Sequence, residues 1–416
     1  MCHLNRMYAA MLDAPHLLIN GLSIGSGGGY TVACELLRGI AKMRPRWRVT
    51  MALIPGHSLH HEFEREVLPS NASLHWAPKT TRWLVARLHY ERHGLIHWAM
   101  RNGVTGLIML NGHAIPNCSI PQLVHNQDPW PYRPQAWTKR TDPLQAFVKR
   151  RGHVNGMRSA HVYGWTSHYL RELVCAWHRE QPARDCVFYN GLPEEWIERA
   201  RIGTSIPIER RPLQIVTVSN LTGYKRQELV VRAVARLQQE PEFKLLRYVV
   251  IGHGIRRELK RLHELAIKLG VQESVSIEGR VSSDRVNQAM AKSRAFVLMS
   301  LCESFGLPAI EAMTFGTPVV VSASCAHPEI CADAAALVRA DDLDHLVDTL
   351  KVVLQNPNEA AAMAERGRKR ALDFRWSDTI RQMLMYLEPM MVIPQTSADT
   401  AIAHQSGEIL NARHGR

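Results

Sequence analysis

The chain has 416 residues, 46% of them hydrophobic, which is material for two or three domains, because single cores rarely grow past about 250–300 residues. Its formal net charge of +13 suits an anionic partner, whether nucleic acid, a membrane surface or a charged substrate. No apolar run approaches the roughly 20 residues of a membrane helix, residues 1–15 lack the apolar core of a signal peptide, and the eight cysteines show neither C-x-x-C pairing nor ligand spacing. Neither a disulfide framework nor a zinc site is indicated, and a protein made and kept in the cytosol is expected.

In chain order, His16 to Asn20 is the first strand, and Gly21-Leu-Ser-Ile-Gly25-Ser-Gly27-Gly28-Gly29 follows it into a helix from about Tyr30 to Met43. Strand, glycine loop and helix can cradle a phosphate, since glycines let backbone amides approach a ligand and the helix end adds positive potential. Tyr30 occupies the last glycine place of a G-x-G-x-x-G and no Gly-Lys-Ser/Thr follows, so neither a dinucleotide fingerprint nor a P-loop is present. Val49 to Ile54 reads as a strand and Leu74 to Trp76 as a short one. Thr81 to His93 reads as a basic helix whose Trp83, Leu84 and Leu88 pack on the domain's own sheet. Leu107 to Leu110 and Gln122 to Val124 are further strands. The second runs into His125, whose near-neutral pKa suits proton handling at a strand's carboxyl end.

From Arg133 to Arg184 ten Lys and Arg stand against three acids, which concentrates the positive potential in the first half of the chain and favours an anionic surface there. His161 to Ser167 reads as strand and turn, with Ser167 starting a helix, and Val187 to Tyr189 leads to the turn Asn190-Gly191-Leu192-Pro193. Glu194 to Pro212 reads as a linker.

The alternation of strands and helices then restarts. Leu213 to Val218 is a strand, Ser219 to Gln227 its loop, Tyr248 to Gly254 a strand and glycine turn, and Val275 to Ile277 another strand. Ala295 to Met299 and Val319 to Val321 are short apolar runs fit for buried parallel strands. Between them lie the loop Ser300 to Leu307 and a helix opened by Pro308 and closed by Gly316 and Pro318. Glu303 falls in that loop and Glu311 early in the helix, so two carboxylates converge on the crevice outside the strand ends. Asp342-Leu343-Asp344 spells a metal motif but precedes a helix and reads as helix-start acids.

Glu303-Ser-Phe-Gly-Leu-Pro-Ala-Ile-Glu311-Ala-Met-Thr-Phe-Gly-Thr-Pro-Val-Val-Val resembles the E-x7-E signature of retaining glycosyltransferases of the GT-B fold, above all glycosyltransferase family 4. The resemblance implies an α/β protein of two Rossmann-like, doubly wound parallel-sheet domains facing a cleft. They would span residues 1–200 and 201–375, with residues 376–389 crossing back as a helix and 390–416 forming a disordered tail. It further implies transfer of a sugar, with retained configuration, from a nucleotide diphosphate sugar to a glycan or lipid-linked acceptor in cell-surface polysaccharide synthesis. Glu303 and His125 would lie at the transferred sugar and Lys225 at the departing diphosphate. Glu311 would hold the ribose, with Ser304, Phe305, Gly306 and Leu307 presenting amides. Gly28 and Gly29 match the first glycine loop, Gly252 the later glycine turn, and Gly279-Arg280-Val281 the loop on the donor base. Ser219 to Lys225 resembles the motif Gly-Arg-Leu-x-x-x-Lys, with Asn220 in place of the arginine and Arg226 as the cation that would replace it. No cofactor and no metal are implied, and contact with the inner face of an anionic membrane fits the basic stretch. A GT-B phosphorylase or a nucleotide-sugar epimerase would share the donor cleft. A nucleic-acid binder is the rival from another class, and no helix-turn-helix, zinc-finger or RNP pattern supports it.

Overall fold

The computed structural model describes residues 14–24, 28–55, 68–110, 112–139, 141–203 and 206–391. The first half builds a seven-stranded sheet from β1 (His16–Asn20), β2 (Arg48–Leu53), β3 (Ala72–Trp76), β4 (Gly106–Met109), β5 (Gln122–Asn126), β6 (Val162–Trp165) and β7 (Asp185–Val187). The strand order is β3-β2-β1-β4-β5-β6-β7 and every pairing is parallel. Its helices are α1 (Gly28–Met43), α2 (Leu84–Tyr90), α3 (Ile96–Arg101), α4 (Asp142–Ser159) and α5 (His168–His178). β1, β4, β5 and β6 are buried along their whole length, which is why they read as continuous rather than alternating apolar runs.

After α6 (Glu194–Ile202), the second half repeats the plan. Its strands are β8 (Gln214–Val218), β9 (Arg247–Ile251), β10 (Val275–Gly279), β11 (Ala295–Leu298), β12 (Val319–Ser322) and β13 (Ala335–Val338), in the parallel order β10-β9-β8-β11-β12-β13. Interleaved with and following them are α7 (Gln227–Leu237), α8 (Arg256–Lys268), α9 (Ser283–Lys292), α10 (Leu307–Thr314), α11 (His327–Cys331), α12 (Leu343–Gln355), α13 (Pro357–Ala371) and α14 (Trp376–Leu387). Strand order reverses between β1 and β4 in one sheet and between β8 and β11 in the other, so each sheet has a switch-point crevice at its carboxyl edge.

The expected linker is not one. Glu194 to Ile202 forms α6, which buries Ile197 and Ala200 and packs on α10 and α13 of the second domain. The chain therefore passes between domains at residues 190–193 and returns at 374–376, and the two passages lie side by side. The Leu192 amide donates to the Phe374 carbonyl at 2.9 Å, and Leu192 and Arg375 form a parallel bridge. Gly191 allows this approach, because a Cβ there would lie 2.1 Å from the Trp376 nitrogen. α14 then packs on α1, and Arg44 pairs with Glu388 at 2.6 Å. Met391, expected to lie in the tail, is instead buried with its sulfur against β4 at Gly106. Residues 392–416, like Gly25 and Gly27 of the first loop, lie outside the described residues.

Thr81 to His93 also differs from expectation. α2 buries no residue, and Trp83 and Val85 are 77% and 81% exposed. A π-turn at Glu91–Leu95 then inserts a residue, which rotates the inward face so that Glu91 and Leu95 are buried. The apolar side read from Trp83, Leu84 and Leu88 faces outward because the sheet is covered by residues on the other side of that turn.

The domains also touch across the cleft. Glu329 of α11 accepts from the His168 and Tyr169 amides at 2.8 and 2.7 Å, completing the N-terminus of α5, and from the Tyr189 hydroxyl at 2.9 Å. Glu329→Ala is expected to cost about 0.5–2 kcal/mol, the range for losing a helix cap. It should lower the melting temperature and raise the radius of gyration measured by small-angle scattering. An unchanged radius would show that this contact does not hold the domains together.

Candidate active site

Three loops at the carboxyl ends of the second sheet converge on the space between the domains. β8 ends in Ser219 and Asn220, and a 3-10 turn at Gly223–Lys225 precedes Arg226, which takes a left-handed φ of 57° before α7 begins. The Leu301 amide donates to the Tyr224 carbonyl at 2.8 Å, tying this loop to the one after β11. Gly252 ends β9. The β11 loop runs through Glu303, Ser304 and Phe305 to Gly306, whose φ of 91° and proximity to His327 exclude a side chain: a Cβ would lie 3.0 Å from that ring. Pro308 stands in the first turn of α10, where its missing N–H costs nothing.

The cleft between the domains has a volume of about 1250 Å³. Asn220, Lys225, Gly252, Glu303, Ser304, Phe305, Gly306, Leu307 and Glu311 line its second-domain wall, and Gly28 and Gly29 line the opposite one. Lys225 Nζ donates to Glu303 Oε1 in a largely buried ion pair. Burial alone would depress the lysine's pKa, but the Glu303 carboxylate outweighs it and holds the ammonium above its ordinary value. Glu311 lies about one turn into α10 with no such partner, and burial pushes its carboxyl up to about 7. The ring of Phe305 is buried against Tyr189 and Phe374, with centroids 6.1 and 5.3 Å away, so this residue couples the loop to the point where the chain crosses between domains. Ser167 Oγ of the first domain donates to the Ser304 carbonyl at 2.7 Å.

Three expected residues are placed elsewhere. His125 is fully buried beneath the cleft, its Nε2 3.2 Å from the Phe188 carbonyl, and burial lowers its pKa to about 4. The side chain points into the layer under β5, so it does not meet a ligand in this arrangement. Arg226 cannot stand in for the arginine that Asn220 replaces, because its left-handed backbone turns it to Glu228 and Asp341, away from the cleft. Arg280 is exposed outside the cleft wall. Asp342 Oδ1 accepts from the His345 amide at 2.9 Å and caps α12, which is the helix-start role expected for it.

The first-domain wall holds residues that sequence reasoning passed over. Asp128 accepts from Lys149 Nζ at 2.6 Å. Burial raises its pKa, yet Lys149 and a Trp130 amide bond more than offset this, and the carboxyl lies below its usual range. Glu91 accepts from Asn20 Nδ2 at 2.9 Å, and burial pushes its carboxyl up. Asp128 stands two residues past the end of β5, a detectable signal, whereas the inward turn of Glu91 depends on the π-turn and is invisible to helical periodicity.

Two Rossmann-like parallel sheets that present their switch points to a shared cleft define the GT-B fold class. Solved structures agree: the Anabaena protein HepE, solved with UDP and glucose, superposes with a TM-score of 0.69 over 90% of this chain and 100% of its own at 16% identity. Residues 199–370 match the family model "Glycosyl transferases group 1". An uncharacterized glycosyltransferase of Methanocaldococcus jannaschii is 30% identical over 204 residues, 47% of this chain and 48% of that one. A D-inositol 3-phosphate glycosyltransferase of Corynebacterium aurimucosum is 28% identical over 229 residues, 54% of each. The chain spans about half the length of these curated relatives. Its second domain thus carries the group 1 glycosyltransferase pattern on a GT-B fold.

The buried Glu311 sets a pH test. Ligand hydroxyls donate to the carboxylate form, and a carboxyl with a pKa of about 7 is largely protonated below that value. Affinity for a nucleoside diphosphate should therefore rise as pH climbs from about 6 to 8, and Glu311→Gln should flatten that rise in calorimetric titrations. A wild-type profile as flat as the variant's would remove Glu311 from the ligand contact.

Proposed function

We propose that the protein transfers a sugar from a nucleotide diphosphate sugar to an acceptor, with retention of anomeric configuration. The observation that carries this is the Lys225–Glu303 pair beside the amides that open α10, with Glu311 behind it: a cation, two acids and a helix N-terminus at one switch point. The sequence match over residues 199–370 supports the same reading. Lys225 and the helix end would neutralise charge growing on the departing diphosphate, Glu311 would accept from the ribose hydroxyls, and Glu303 would lie at the sugar. Closure around Ser304 and Ser167 would keep water out and favour transfer over hydrolysis.

The donor chemistry divides the two acids. Glu303 engages Lys225, so Glu303→Ala should leave nucleoside diphosphate affinity undiminished while turnover falls about a hundredfold or more, as misplacing a reacting centre costs rate rather than affinity. Glu311→Ala should weaken nucleoside diphosphate and donor together. Thermal stabilisation across a panel of nucleotide sugars identifies the donor first. Folded variants that both keep wild-type binding and turnover would sink the reading. Donor turnover should also survive EDTA, since Lys225 and the α10 amides serve the diphosphate. Loss on chelation with rescue by magnesium or manganese would overturn that assignment.

The acceptor reading is a glycan or lipid-linked glycan met at the inner face of an anionic membrane. Within residues 133–184 three of the ten cations are engaged in ion pairs: Lys149 with Asp128, Arg158 with Glu180 and Arg171 with Asp185. The surface better suited to lipid is the exposed apolar one: Trp83 and Val85, 77% and 81% exposed, follow Arg82 in the chain, and Leu144 and Phe147 of α4 are 67% and 61% exposed. Among the described residues no helix is long and apolar enough to cross a membrane, so such contact would be peripheral. Trp83→Ala with Val85→Ser should abolish co-sedimentation with phosphatidylglycerol vesicles at low salt. Equal sedimentation of variant and wild type would exclude this face.

A further inference from the structure

A chain of buried polar groups that the donor chemistry does not use lies under the first-domain wall. Tyr132, in the short turn after β5, is buried, and its hydroxyl stands between two histidines: His153 Nδ1 of α4 at 2.9 Å, and Nε2 of His178, the last residue of α5, at 3.0 Å. His153 is fully buried, whereas His178 is only half-buried and reaches solvent. The other ring nitrogen of His153, Nε2, has no hydrogen-bond partner among the described residues. It packs on Gly112, where a Cβ would lie 2.7 Å from it. Gly112 belongs to the segment whose Leu110, His113 and Ala114 line the cleft.

A hydroxyl has one proton, so Tyr132 donates to one of its two histidines and accepts from the other. While His178 is neutral, either order is open. If Tyr132 donates to His178, His153 carries its proton on Nδ1 and leaves Nε2 a bare acceptor. Once His178 is charged, both of its ring nitrogens donate and one order remains: His178 donates to Tyr132, Tyr132 donates to His153 Nδ1, and the His153 proton sits on Nε2. The balance is one proton taken from water and held by His178, while Tyr132 and His153 each keep one. Burial, with His113, Lys149 and His178 adding to it and Asp128 opposing, holds the pKa of His153 well below the usual histidine range, so this ring stays neutral while His178 charges. Burial also raises the pKa of Tyr132, which faces Tyr163, Asp128, Arg150 and Cys175, so the hydroxyl keeps its proton. His178 faces Glu180, which raises its pKa, and Arg150 and Arg158, which lower it; burial weighs most and places it below the ordinary value.

We propose that His178, Tyr132 and His153 form a proton-order relay, in which charging His178 at the surface converts His153 Nε2 from an acceptor to a donor beneath the cleft wall. A buried N–H without an acceptor is costly, which drives the wall at Gly112 to re-seat around it. Acidity at the outer end of α5 is thereby felt at His113 and Ala114, inside the cleft. The relay needs no bound ligand and stands apart from the glycosyltransferase reading.

The test records long-range proton–nitrogen correlation spectra of the isotope-labelled full chain from about pH 8 to about pH 5, the range in which histidine charges. In the wild type the ratio of Nε2–H to Nδ1–H tautomer at His153 should rise about tenfold or more as His178 charges, and the amide shifts of Gly112, His113 and Ala114 should follow the same curve. Tyr132→Phe should leave His178 titrating while the His153 tautomer and these amides stop responding to it. His178→Leu, at a half-exposed position where the fold tolerates exchange, should make the His153 tautomer independent of pH. A constant His153 tautomer in the wild type overturns the relay, as does a change with pH that persists in His178→Leu or in Tyr132→Phe. A tautomer change with unmoved amides at Gly112, His113 and Ala114 overturns the link to the cleft wall.

Discussion

The arrangement of this molecule depends on one constraint: the chain must cross between its domains twice at the same place. The Leu192–Phe374 hydrogen bond and the bridge to Arg375 bind the outgoing and returning passages together, and only a glycine at 191 lets them approach so closely. With both passages joined at one edge, the two sheets can only open and close about that edge, so their switch points stay opposed. Phe305 and Phe374 pack edge to face at this point, which carries the position of the crossing directly into the loop that bears Glu303.

The electrostatics of the cleft follow from that opposition. The second-domain wall contributes groups that would be costly if buried alone: Glu311 without a cation, and Lys225 paired to Glu303. A buried ion pair offers little net stability, and an unmatched buried charge offers less than none. Their retention in one cleft is therefore better explained by ligands that match them than by folding. The wall between α2 and α4 is basic, the wall at α10 holds acids beside a lysine, and a substrate bridging the two meets different chemistry at each end.

The strands were legible from residues alone because parallel strands buried on both faces must be continuous apolar runs, as Val319 to Ser322 and Ala295 to Leu298 are. The loop positions of Glu303, Lys225 and Asn220 follow from those strand ends. Other features were not legible for identifiable reasons. α6 looks like a linker because its apolar positions are few, and only α10 and α13 supply the surface that buries Ile197 and Ala200. Arg226 looked available to a phosphate because its side-chain direction is set by a left-handed backbone that nothing in the residue itself announces. His125 was expected just past a strand end, but β5 continues through Asn126 and the pleat buries His125 within the sheet layer.

What the amino-acid order determined was the alternation of strand and helix, the restart of that alternation after residue 212, and the chemical types at the strand ends. Each of these depends on interactions within a few residues, through periodicity, proline and glycine geometry and helix capping. What the tertiary structure alone decided was which of those side chains share a space. The pairing of Glu91 with Asn20, the hold of Lys149 on Asp128, and the burial of Glu311 arise from contacts between segments far apart in the chain. Packing and desolvation at such separations depend on the closed shape of the whole chain, and no local pattern encodes them.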